Sequence, residues 1–158
     1  MMKVITGENN EILRKKCEKV TEFDENLAKF VSEMQETMLY EDPETGLVGV
    51  GLAANQVGVN KRIILITLGV GTKKAGKVLP MINPEILELS DEKVKMEEGC
   101  LSLPNVFGKV VRPAKVKVKW QNLAGNWCER KFDKWDARIF LHEFDHLEGI
   151  MFTDYLKN

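Results

Sequence analysis

Histidine is scarce in this chain: only His142 and His146 occur among 158 residues. Cysteine is nearly as rare, and Cys17, Cys100 and Cys128 form an odd set that contains no CxxC pair. That pattern favours free thiols or single metal ligands over the disulfide framework of a small secreted domain. An excess of one charge is also missing. Lys plus Arg number 23 against 24 for Asp plus Glu, so no bulk basic field exists to hold nucleic acid, and DNA is not an expected partner. The longest strongly apolar run is Ile63-Ile64-Leu65-Ile66, far below the roughly 20 residues a membrane helix requires, so no membrane partner is expected either. Met1 to Val20 is studded with Lys, Arg and Glu and lacks the apolar stretch of a signal peptide. The expected location is the cytoplasm, with the mature form of an organellar protein left open.

What remains is an ordinary globular composition, 44% hydrophobic and 30% charged. The length predicts a single domain over residues 1–158. Leu27, Phe30, Val31, Met34 and Met38 recur at helical spacing, which predicts an N-terminal amphipathic helix from Asp24 to Tyr40, capped by Asp24 and closed off by Pro43. The period then changes. Strands are predicted over Arg62 to Thr67, Val78 to Ile82 (stopped by Pro84), and Ile86 to Leu89 and Lys93 to Met96 on either side of a Ser90-Asp91 turn. A hairpin follows, in which Lys115 to Trp120 is joined to Trp127 to Phe132 by the Asn122 to Asn126 loop. A last helix runs from about Asp133 to Leu147, with Gly149 as its stop. This order predicts an α+β fold of mostly antiparallel strands around a central C-terminal helix.

That helix carries both histidines, in His142-Glu143-Phe144-Asp145-His146. Residues four apart on a helix share a face, so two imidazoles can hold one metal ion. Glu143 beside them is placed to exchange protons with water at that ion. A catalytic site of this type takes a third protein ligand. The longer protease pattern HExxHxxGxxH is matched up to Gly149 and then fails, because Phe152 stands where its third histidine belongs. Downstream, Glu148 points off the ligand face and Asp154 lies beyond the helix, so the third ligand is expected upstream. Cys100 is the best candidate. It follows a charged strand within Glu97-Glu98-Gly99-Cys100-Leu101-Ser102, just before Pro104. Cys17 and Cys128 read as small buried hydrophobes.

Three segments together carry a resemblance. Gly49-Val50-Gly51-Leu52-Ala53-Ala54-Asn55-Gln56, then Glu98-Gly99-Cys100-Leu101-Ser102, then His142-Glu143-Phe144-Asp145-His146 resemble, in order, the signature motifs of the peptide deformylase family. The resemblance extends through nearly the whole chain. It implies removal of the formyl group from the N-terminal formyl-methionine of new proteins, with release of formate. It also implies that Cys100, His142 and His146 hold one divalent ion, Fe²⁺ in the cell with Zn²⁺ or Ni²⁺ as replacements. Glu143 would act as base and then acid, and the Gln56 amide and the Leu101 N–H would steady the oxyanion.

By the same resemblance the formyl-methionyl peptide pairs near Val50 and Gly51 on one side and Gly99 on the other, with its methionine near Trp135 and Ile139. The ribosome is a candidate partner. Glu98, Asp145 and Arg112 are candidates for an ion network behind the ligands. Leu141, Phe107 and the extra residues from Pro43 to Leu47 depart from the common pattern. Two other readings stay open at this point: a silent deformylase-like metal-binding protein and a zincin-type metalloprotease.

Overall fold

The computed structural model describes residues 1–73 and 76–157. A one-turn helix α1 (Glu11–Arg14) precedes the amphipathic helix α2 (Glu25–Met38). Asp24 caps α2, its side chain accepting the Leu27 N–H at 3.0 Å. A short strand β1 (Gly51–Ala53) then runs into a 3-10 turn (Ala54–Val57), followed by β2 (Ile63–Leu68) and β3 (Lys77–Leu89). Next come β4 (Lys93–Cys100), β5 (Leu103–Pro113), β6 (Lys115–Gln121) and β7 (Trp127–Asp133). Helix α3 (Lys134–Leu147) and a second 3-10 turn (Phe152–Leu156) end the chain. All strand pairs are antiparallel; β1-β2-β3-β6-β7 form one sheet, while β4 and β5 form a separate hairpin.

The five-stranded sheet carries a helix on each face. Strand β2 is buried along its whole length, and pleating divides its side chains between two cores. Ile64 and Ile66 pack with Ala137, Phe140, Leu141 and Leu147 of α3. Ile63 and Leu65 pack with Leu27, Val31, Met34 and Met38 of α2. Each such fully buried side chain is worth roughly 1.5–3 kcal/mol relative to exposure, and this packing seats α3 against the sheet. A third cluster, with Leu13, Leu103, Val110, Met151 and Phe152, fastens the β4–β5 hairpin to the chain termini.

Several local expectations change. Val78 to Ile82 and Ile86 to Leu89 belong to one strand, because Pro84 does not break it. The pairing of β3 with β6 shifts register between Ile82 and Glu85, and this irregularity takes in the residue that lacks an N–H. Asn83 enters it at φ 50°, and its side chain bonds Val20 and Gln121. The chain leaves the main sheet at Ser90, so β3 and β4 lie in different sheets. Strand β5 has no counterpart among the strands expected from sequence; Pro104 and Gly108 interrupt its pattern and much of it is exposed. Cys17 is buried, whereas Cys128 is only half-buried on the edge strand β7.

Candidate metal centre and active site

Helix α3 places His142 and His146 one turn apart, with ring centroids 5.1 Å from each other. The β4–β5 hairpin brings Cys100 to them from the opposite side. A register irregularity between Gly99 and Cys100 ends the regular ladder, and the Cys100 Sγ lies 3.4 Å from the His146 Nε2. One ligand atom from each of the three residues falls within 4.8 Å of the others.

The surroundings prepare these atoms. His142 Nδ1 is 2.9 Å from the Glu98 carboxylate, which turns its Nε2 toward the cluster. Glu98 also accepts two bonds from Arg112, at 2.6 and 2.9 Å, and one from Arg138 at 2.7 Å. Burial raises the Glu98 carboxyl, but the bonds from His142 and Arg112 outweigh it and hold the group well below the usual carboxylate range. Arg112 reaches on to Asp145 at 2.8 Å, and the Tyr155 hydroxyl donates to the same carboxylate. The structure therefore brings Glu98, Arg112 and Asp145 together.

Burial lowers His142, but bonding to Cys100 and Glu98 holds its pKa up to about 10, a proton that a metal must displace. His146 is kept neutral by burial and by the charges of His142 and Arg112. Its Nδ1 is buried without a hydrogen-bond partner among the described residues. One sulfur and two imidazoles converging in this way fit a borderline-soft divalent ion.

Glu143 projects from α3 with its Oε2 4.0 Å from the His142 Nε2. Its other carboxylate oxygen is buried and unpartnered among the described residues, and burial pushes its pKa up to about 7. That value suits a group that must both take and return a proton near neutrality. Gly51 makes the position possible, because a Cβ there would overlap the Glu143 carboxylate. The Gln56 side chain is held at both ends. Its Oε1 accepts the Ala53 N–H at 2.9 Å, and its Nε2 donates to the Ser102 Oγ at 3.0 Å and lies 3.5 Å from the Cys100 Sγ. Leu101 occupies the turn between β4 and β5.

A cavity of about 710 Å³ opens beside Glu143 and His142. Val50, Met96, Gly99, Phe107, Trp135 and Ile139 line it, with Arg138 and Glu98 adding polar groups. Ile139 is buried, Trp135 is half-exposed at 36%, and Phe107 is 62% exposed. The Phe107 ring lies over Gly99, where a Cβ would come within 2.8 Å of it. Of the substrate residues expected from sequence, Val50, Gly99, Trp135 and Ile139 line this opening, whereas Gly51 is not in its lining and lies against Glu143. Sequence reading missed Arg138 and Ser102. Ser102 stands inside the second signature segment but was given no role there, and Arg138 has no local signal; contacts across the chain mark both.

The family profile described as polypeptide deformylase matches residues 1–158. The chain belongs to the peptide deformylase family. It is 44% identical to the peptide deformylase of Thermotoga maritima over 146 residues, which span 92% of this chain and 82% of that one. Peptide deformylase 1 of Rickettsia conorii is 41% identical over 153 residues, 94% of this chain and 84% of the relative. The Thermotoga maritima crystal structure matches with a TM-score of 0.88 at 40% identity, covering 100% of this chain and 99% of that one. A Synechococcus elongatus peptide deformylase solved with actinonin gives 0.88 at 33% identity, covering 99% and 81%. The α+β architecture of antiparallel sheets and a C-terminal helix is that of these deformylases. Membership makes this chain a hydrolase of N-terminal formyl groups, with a candidate metal site in place for the metal dependence general to the family.

Proposed function

We propose that residues 1–158 form one catalytic domain that removes the formyl group from formyl-methionyl chains newly made on the ribosome, in the cytoplasm. The observation that carries this reading is the placement of Glu143: buried, with one carboxylate oxygen unpartnered, against Gly51 and facing the cavity beside His142. Cys100, His142 and His146 would hold one divalent ion, Fe²⁺ in the cell and Zn²⁺ or Ni²⁺ as substitutes. When bound, the ion supplies Lewis acidity, polarising a carbonyl oxygen and making water more acidic.

The chain's own residues do the rest. Glu143 takes a proton from the attacking water as its oxygen bonds to the formyl carbon. The Gln56 Nε2 and the Leu101 backbone N–H donate to the oxygen that becomes negative. Gln56 is ready for this, since Ala53 and Ser102 already fix its amide. The C–N bond then breaks and Glu143 returns the proton to the departing amine, leaving formate and a free N-terminus. The peptide lies extended between the Val50–Gly51 segment and Gly99, adding main-chain pairing as an extra strand. Its methionine enters the cavity beside Ile139 and Trp135.

The test is formate release from a formyl-methionyl peptide, using protein loaded with Fe²⁺ under anaerobic conditions and a nickel-loaded sample. Turnover is expected, with Cys100→Ala abolishing it and Glu143→Ala retaining the ion while losing roughly 10²–10⁴-fold in kcat. Actinonin, the ligand of the Synechococcus elongatus structure, is expected to compete with the peptide. A filled metal site without turnover would favour a silent homologue, and undiminished activity in Glu143→Ala would overturn the mechanism.

A further inference from the structure

Arg138 sits on α3 one turn before His142, and its side chain is 4% exposed. Its guanidinium does three things at once. Nη1 donates to the Glu98 carboxylate at 2.7 Å and to the Val110 carbonyl at 2.8 Å, and Nη2 donates to the Val94 carbonyl at 2.6 Å. Val94 lies on β4 and Val110 on β5. One side chain of the histidine helix therefore grips both strands of the hairpin that delivers Cys100. It also holds the carboxylate that orients His142.

Apolar packing does not do this job alone: it runs through Phe152, whose ring stacks on His142 with centroids 6.0 Å apart, while Arg112 of β5 adds one bond to Asp145 of α3 at 2.8 Å. The hairpin's buried apolar contacts, Leu103 and Val110, point to the cluster with Met151 and Phe152. Between the hairpin and α3 lies the 710 Å³ cavity, with Arg138 among its walls. Neutralising Glu98 is not the reason for Arg138 either, because Arg112 already forks that carboxylate. What Arg138 adds is reach: a planar fork that spans three acceptors.

We propose that Arg138 is a strut that fixes the gap between the Cys100 hairpin and the histidine helix, and so a positioning residue for the metal centre. The proposal rests on reading Cys100, His142 and His146 as the ligands. Arg14 provides the control. It is similarly forked, on Asp154 and the Glu8 and Gly149 carbonyls, and holds the termini together through bonds to neither Glu98 nor the hairpin strands.

The experiment measures zinc affinity by competition with a chromogenic chelator, the thiolate absorption band of the cobalt-loaded protein, and thermal unfolding of the metal-free protein. Arg138→Met and Arg138→Lys are expected to bind zinc roughly 10- to 100-fold more weakly, with a shifted cobalt band. Arg14→Met is expected to unfold at lower temperature with parental zinc affinity. Lysine keeps the charge but cannot span three acceptors, so its variant answers even if the methionine variant does not fold. Parental zinc affinity in Arg138→Lys overturns the strut. If Cys100→Ala also binds zinc like the parent, the ligand reading fails and the strut with it; weakened binding in Cys100→Ala alone overturns only the strut.

Discussion

The Glu143 carboxylate occupies space that any side chain at position 51 would claim. Gly51→Ala should therefore leave the metal ligands in place while pushing Glu143 out of line. An error of about 1 Å in such a group costs on the order of 10²-fold in rate. Steady-state kinetics beside a zinc titration would check this: kcat falls, zinc affinity holds, and parental kcat would refute the close fit. Cys17 makes a different single-residue prediction. Burial pushes its thiol up to about 11 from the ordinary 9.0, so the folded state holds that proton more tightly than the unfolded chain. Its contribution is complete below about pH 9 and is lost as pH rises through about 11, in total about 3 kcal/mol. Urea unfolding at several alkaline pH values should show a steeper loss in the parent than in Cys17→Ala.

At the scale of elements, helix α2 and helix α3 work on opposite faces of one sheet. The Asp24 cap serves only α2, through its bond to the Leu27 N–H. Asp24→Ala should cost about 1 kcal/mol, read as a fall of roughly 2–4 °C in Tm for a chain of this size, with kcat/KM unchanged. A loss of activity would mean that α2 reaches the site through β1. The elements also differ in how far local pattern announced them. Helix α2 has one continuous apolar stripe, and β2 reads as a short apolar run. Strand β5 had neither, because Pro104 and Gly108 break its alternation and its pairing with β4 is what keeps it extended. Pro84 looked like a strand end and instead sits at an irregularity that only the partner strand β6 makes possible.

For the whole molecule, the site joins the β4–β5 hairpin to α3 beside a cavity that the Arg112 and Arg138 side chains also bridge. A ligand that binds only the folded state adds stability by mass action, about 4 kcal/mol at a thousandfold excess over Kd. Removing the ion with a chelator should then lower Tm by roughly 10 °C. Calorimetry with and without zinc would measure it, and Cys100→Ala should show little of the shift. An unchanged Tm in the parent would argue that the ion does not tie hairpin to helix.

The sequence by itself determined what is local. Helical spacing put His142, Glu143 and His146 on one turn, and the resemblance of the Glu98–Ser102 segment to a deformylase signature pointed to Cys100 as their companion. The tertiary structure decided what depends on distance along the chain. Cys100 is 46 residues from His146, and Gln56 is 46 from Ser102, so their meeting depends on how the hairpin folds back over the helix. Arg138 and Ser102 have ordinary side chains that gain meaning only from partners far away in sequence. Spacing fixes geometry within a helix because the backbone repeats; between elements, packing and buried hydrogen bonds fix it.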